Sequence, residues 1–150
     1  TKMRYTILFS IFLIIILAGC SKDKFGTTPT LKFKSVNTTQ IHSGSLLIFT
    51  LTFTDAEGDI SDSLYAETIV PNCKESERSQ SFPVPVFPTT KNDKGDLTVI
   101  FRYNASDPSY FNFSPQCQMN DTTVFRFALT DKANHTSDTI SSPPIVFIYQ

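Results

Sequence analysis

The 150-residue chain carries 13 basic and 14 acidic side chains, for a formal net charge of −1. No basic field exists to hold nucleic acid, so that class of partner is set aside. Fourteen Phe against no Trp leaves any carbohydrate site without the side chain that offers the largest stacking face.

In chain order, Lys2 and Arg4 precede an apolar run from Ile7 to Leu17, which closes on Leu17-Ala18-Gly19-Cys20. A positive n-region, a short apolar h-region and small residues before a cut site are the parts of a secretory signal. The run is too short to span about 30 Å of hydrocarbon. Its last four residues resemble the bacterial lipobox, at which the Cys thiol is diacylated and the chain is cut just before it. Residues 1–19 are therefore read as a lipoprotein signal peptide and Cys20 as the lipidation site, with the membrane a partner through that anchor. Ser21 permits outer-membrane sorting, and Lys22-Asp23-Lys24 lacks the acidic run of a surface-export signal. The expected address is the cell envelope, at the outer membrane, with the periplasmic or surface face left open.

Residues 20–29 are polar and turn-rich and read as a lipidated flexible tether; residues 30–150 read as one domain. Thr30–Val36 alternates Leu31 and Phe33 with lysines, as an edge strand does. After a turn around His42–Gly44, Leu46–Thr54 sets Leu47, Phe49, Leu51 and Phe53 on one face, the pattern of a half-buried strand. Asp55–Asp59 breaks that pattern, and Gly58 supplies a left-handed turn position. Ser63–Val70 is a further strand, and Phe82–Pro88 alternates apolar residues with prolines that restrict it to a sheet edge. Leu97–Tyr103, Thr123–Thr130 and Ile145–Tyr149 complete the set. Seven or so short strands between turn signals, with no helical period, indicate an all-β fold, a single antiparallel immunoglobulin-like sandwich behind the signal peptide.

The stretches Phe53-Thr54-Asp55-Ala56-Glu57-Gly58-Asp59-Ile60, Phe127–Ser137 and Pro143-Pro144-Ile145 resemble a family of small Bacteroidetes lipoproteins. These share a lipobox, a short tether, an FTDxxGD loop after the second strand, a proline-rich middle segment and a DxAGNxS turn before the last strand. The resemblance implies an immunoglobulin-like or cadherin-like fold and an envelope address, and it implies no characterised activity. The chain departs from the pattern at Asn134-His135, where the family has Gly then Asn; Asn tolerates the left-handed conformation that the turn needs.

Asp55, Glu57, Asp59 and Asp62 place four carboxylates around Gly58, and Asp131, closing a strand that neighbours this one in a sandwich, adds a fifth. Hard oxygen ligands in a loop suit Ca²⁺, so calcium is the one candidate cofactor; EF-hand spacing is absent. The competing reading is an Asx turn capped by Asp55, with Glu57 and Asp59 solvated. Cys73 and Cys117 form an even pair in an oxidising compartment and are expected to join in a disulfide. No Cys-x-x-Cys suggests redox catalysis.

Tyr110, Phe111 and Phe113 lie in what reads as a loop, where rings can bind a sugar or anchor a protein or simply cover the end of a Phe-rich core. Asp62-Ser63-Leu64, Asp121-Thr122-Thr123 and Asp138-Thr139-Ile140 look like the sites that Bacteroidetes use for O-glycosylation, at Ser63, Thr122 and Thr139. His42 and His135 sit in turns outside any nucleophile spacing, and no Gly-x-Ser-x-Gly elbow occurs, so the chain is not expected to be an enzyme. The leading expectation is a lipid-anchored, non-catalytic module that binds a protein or surface polymer. The alternative is a carbohydrate-binding accessory lipoprotein of a glycan-uptake system, whose groove would be built from Tyr65, Tyr103, Tyr110 or Phe111.

Overall fold

The computed structural model describes residues 25–88, 90–105 and 110–149; the expected signal peptide and Cys20 lie outside the described residues. Ten strands and one short 3₁₀ turn are present among them: β1 Thr30–Val36, β2 Gln40–His42, β3 Leu46–Asp55, β4 Ser63–Ile69, the 3₁₀ turn Lys74–Ser76, β5 Ser79–Pro83, β6 Asp93–Tyr103, β7 Phe111–Phe113, β8 Asp121–Thr130, β9 Ile140–Ser141 and β10 Ile145–Ile148.

One sheet runs β1-β3-β6-β7 and the other β2-β10-β8-β4-β5, with β9 also paired to β8. In immunoglobulin terms β1, β3 and β6 take the A, B and E places, and β4, β8 and β10 take C, F and G. The fold is thus the expected immunoglobulin-like sandwich. Its sheets are mixed, however, because β2 pairs with β10 and β7 with β6 in parallel. Which segment arrives alongside decides these pairings, so local alternation does not foretell them.

Alternation decides the core. Every second residue of β3 is buried, as are Leu97, Val99, Phe101 and Tyr103 of β6 and Phe125, Phe127 and Leu129 of β8. Rings meet across the layers, with centroids 4.9 Å apart for Phe49–Phe125 and 5.0 Å for Phe101–Phe125, within the range where aromatic pairs attract.

Chain path differs from the sequence reading in three places. β2 forms within the region taken as a turn around His42, because the first strand leaves one sheet for the other. Asn37 eases that crossing, its amide donating to the Leu46 carbonyl while its side-chain oxygen accepts from the Ile48 amide. Phe111–Phe113, taken as loop, is strand β7. In the proline segment only Phe82 and Pro83 remain in a strand; beyond them Val84 donates to the Asp62 carbonyl and Phe87 to the Ser61 hydroxyl. The end of the expected tether also lies against the domain, with Pro29 buried and the Gly26 carbonyl accepting from the Ala56 amide.

Candidate functional site

Two regions stand out from the regular ladders. At one end of the sandwich β3 runs out at Asp55, and the turn after it is shaped by Gly58 at φ 70°. A Cβ on Gly58 would collide with the Thr90 backbone carbonyl, so only glycine fits here. Asp55 is fully buried, and its Oδ2 accepts from the amides of Gly58 and Asp59 at 2.5 and 3.2 Å. The expected Asx cap is therefore present, but it uses one oxygen only. Asp55 Oδ1 and Asp59 Oδ1 are buried without a hydrogen-bond partner.

Asp131, also fully buried, reaches the same place from the end of β8 in the opposite sheet. One ligating atom from each of Asp55, Asp59 and Asp131 lies within 4.8 Å of the other two. Glu57 and Asp62 do not join them: both are exposed, and Asp62 accepts instead from the Ser63 hydroxyl. The expected five carboxylates thus reduce to three. Burial, then the Asp131 and Asp55 carboxylates, push the Asp59 carboxyl above its ordinary range, against an opposing backbone hydrogen bond.

Among the described residues no Lys or Arg pairs with these three acids. His135 lies against Asp131 instead, its Nδ1 3.1 Å from Asp131 Oδ2 and its backbone amide donating to Asp131 Oδ1. Asn134 takes the left-handed conformation at φ 66°, so the turn tolerates the departure from glycine. Carboxylate oxygens gathered in this way are of the kind that surround a hard cation.

The second region is the side of the sandwich bordered by β5 and β7, the outer strands of the two sheets. A cavity of about 270 Å³ opens between them, walled by Phe82, Phe111 and Phe113 and reaching the core rings Phe101 and Phe125. Another, also about 270 Å³, lies beside it against Val84, Leu97, Val99 and Tyr110. Phe82 and Phe111 line both, and their rings meet edge to face. Glu67, Arg78 and Gln116 supply the polar rim of the first cavity.

This side is stapled. Cys73 and Cys117 form a disulfide with Cα atoms 6.0 Å apart, as expected from the sequence, and the Gln116 amide donates to the Ser76 hydroxyl at 2.8 Å. The segment after β7 is thereby tied to the segment before β5. Lys74, at 2.9 Å, and the Val70 amide hold the Glu77 carboxyl below its ordinary range at the same corner.

The expected aromatic site is only partly assembled. Phe113 is core, as is Tyr103, whose hydroxyl donates to the Ile148 carbonyl. The Tyr65 hydroxyl donates to Glu67. Phe111 is exposed and Tyr110 half-buried. Phe82, Arg78 and Gln116 had not been assigned to a site; the edge-restricting prolines next to Phe82 were the one available signal. Of the expected glycosylation positions, Thr139 is exposed outside any strand, whereas Ser63 and Thr122 are half-buried in β4 and β8.

No protein-family model matches the chain, and no curated protein does. Among solved structures, the sporulation control protein Spo0M of Bacillus subtilis aligns with 82% of this chain and 50% of its own, at TM-score 0.47 and 8% identity. The chain thus spans half the length of that protein. A Niemann-Pick type C2 protein from the Japanese carpenter ant aligns over 82% of this chain and 98% of its own, at TM-score 0.42 and 12% identity. A CARDB domain from Pyrococcus furiosus, solved in complex with di-metal ions, aligns over 87% of this chain and 100% of its own, at TM-score 0.33 and 9% identity. Likeness at this level lends no ligand and no partner, and the class assigned here, an immunoglobulin-like β-sandwich, rests on the strand order itself.

Proposed function

We propose that this chain is a non-catalytic, lipid-anchored binding module of the bacterial cell envelope, which captures an extended segment of a partner protein along β5. The observation that carries the reading is the position of the aromatic cleft. It lies where β5 ends its sheet, with no strand on its outer side among the described residues, and Ser79, Gln80 and Ser81 are exposed along it. An added strand would find unpaired backbone groups there, and its alternate side chains would face the rings of Phe82 and Phe111. Anchoring at Cys20 and outer-membrane residence are proposed on the lipobox and on the layout shared with the small Bacteroidetes lipoproteins. His42 and His135 standing outside any nucleophile spacing, with no Gly-x-Ser-x-Gly elbow in the sequence, support a binding role.

A photo-crosslinking residue at Gln80 in the native envelope is the test. The expected outcome is one discrete protein adduct that disappears in the Phe111→Ser variant. An adduct unchanged by Phe111→Ser overturns the β5 assignment. Binding to a glycan array that depends on Phe111 would replace it with the carbohydrate-binding alternative.

A further inference from the structure

We propose that Asp55, Asp59 and Asp131 are the protein ligands of a Ca²⁺ site that clasps the turn after β3 to the turn after β8. Three carboxylates with ligating atoms within 4.8 Å of one another match the span of oxygens around one Ca²⁺, which holds each at about 2.3 to 2.6 Å. Clustering alone would not argue a ligand. The independent mark is Asp55, whose side chain is fully buried and whose Oδ1 meets no donor. A buried carboxylate oxygen without a partner carries a desolvation penalty that proteins ordinarily relieve with a hydrogen bond or a cation. Asp59 Oδ1 is in the same condition beside it, so two buried carboxyl oxygens of the cluster lack a partner that a cation would supply.

The surrounding backbone shows what the ion would hold. Residues 55–59 receive or give hydrogen bonds from three directions: the Asn92 amide to the Ala56 carbonyl, the Lys132 amide to the Asp59 carbonyl, and the Ala56 amide to the Gly26 carbonyl. A cation bound by Asp55 and Asp131 therefore braces the place where the start of the domain, the turn before β6 and the turn after β8 converge. Backbone carbonyls and water complete the 6 to 8 ligands typical of Ca²⁺, and half-exposed Asp59 leaves a path from solvent.

The experiment uses the full chain in detergent, stripped with chelator and titrated with CaCl₂ by calorimetry, with amide hydrogen exchange measured alongside. One ion binds per chain, with a dissociation constant of about 10⁻⁴ to 10⁻³ M, and exchange slows at Gly58, Asn92 and Lys132. Asp59→Asn weakens binding at least tenfold, and so does Asp131→Asn should the first variant fold poorly; Glu57→Gln and Asp62→Asn leave it unchanged. No binding at 10-fold above about 10⁻³ M, binding undiminished in both aspartate variants, or equal loss in Glu57→Gln overturns the site. MgCl₂ binding as tightly as CaCl₂ overturns its assignment to calcium.

Discussion

The acidic end and the aromatic edge are held together by opposite means. At the acidic end, backbone hydrogen bonds draw the turns together while three carboxylates repel one another, so the structure is closed by geometry and opposed by charge. At the aromatic edge the polar burden is small, and two outer strands are joined by a disulfide and by ring contacts. The comparison teaches that two irregular regions of one small sandwich can be closed by different devices: one end here has a covalent staple, and the other has only hydrogen bonds around clustered carboxyls, where the calcium site is proposed.

The staple is the place where this contrast breaks most visibly. The disulfide closes a span of 44 residues in sequence, for which the chain-entropy account gives about 4 kcal/mol. Since a domain of this size has about 5 to 15 kcal/mol of stability in all, Cys73→Ala with Cys117→Ala should lower the denaturation midpoint sharply in urea titration. Hydrogen exchange in that variant should accelerate across residues 74–83 and 111–117 and leave residues 55–59 little changed. Equal acceleration at both ends would show that the two regions are one cooperative unit.

Gly58→Ala tests the other side of the comparison. The left-handed conformation costs a residue with a Cβ about 1 to 2 kcal/mol, and the clash with the Thr90 carbonyl adds to it, so a loss of about 2 kcal/mol or more is expected by chemical denaturation. The exchange pattern should be the reverse of the disulfide variant, with opening at residues 55–59 and 131–135 first.

A smaller effect concerns neither region and serves as a control on both. Lys34 and the Thr52 hydroxyl hold the Asp96 carboxyl below its ordinary value of 3.8. A carboxyl lowered in the folded state contributes stability that is present above the unfolded pKa and is lost as pH falls through the folded one. Lys34→Met should therefore shrink a slight acid-side loss of stability below about pH 4. The pair is exposed and screened by salt, so midpoints at pH 7 should barely move.

Much of this architecture is legible from local pattern. Leu47, Phe49, Leu51 and Phe53 announce both a strand and its buried face, because the side-chain period of a strand is two and burial rewards one face only. The turn at Gly58 and the Asx role of Asp55 are readable for the same reason: turn chemistry acts over four or five residues. Cys73 and Cys117 are the only pair left once Cys20 is assigned to the lipobox, so their partnership needs no geometry.

What the sequence by itself determined, then, is the existence of the longer strands, their core face, turn chemistry and the cysteine pairing, all properties set by near neighbours or by elimination. Tertiary structure alone decided that β2 pairs with β10 and β7 with β6 in parallel, that Phe113 turns inward while Phe111 stays at the cleft mouth, and that Glu57 and Asp62 face water while Asp55, Asp59 and the expected Asp131 come together. Each of these depends on which distant segment arrives alongside, and that is settled by closing two twisted sheets over one core, a condition no short window of sequence contains.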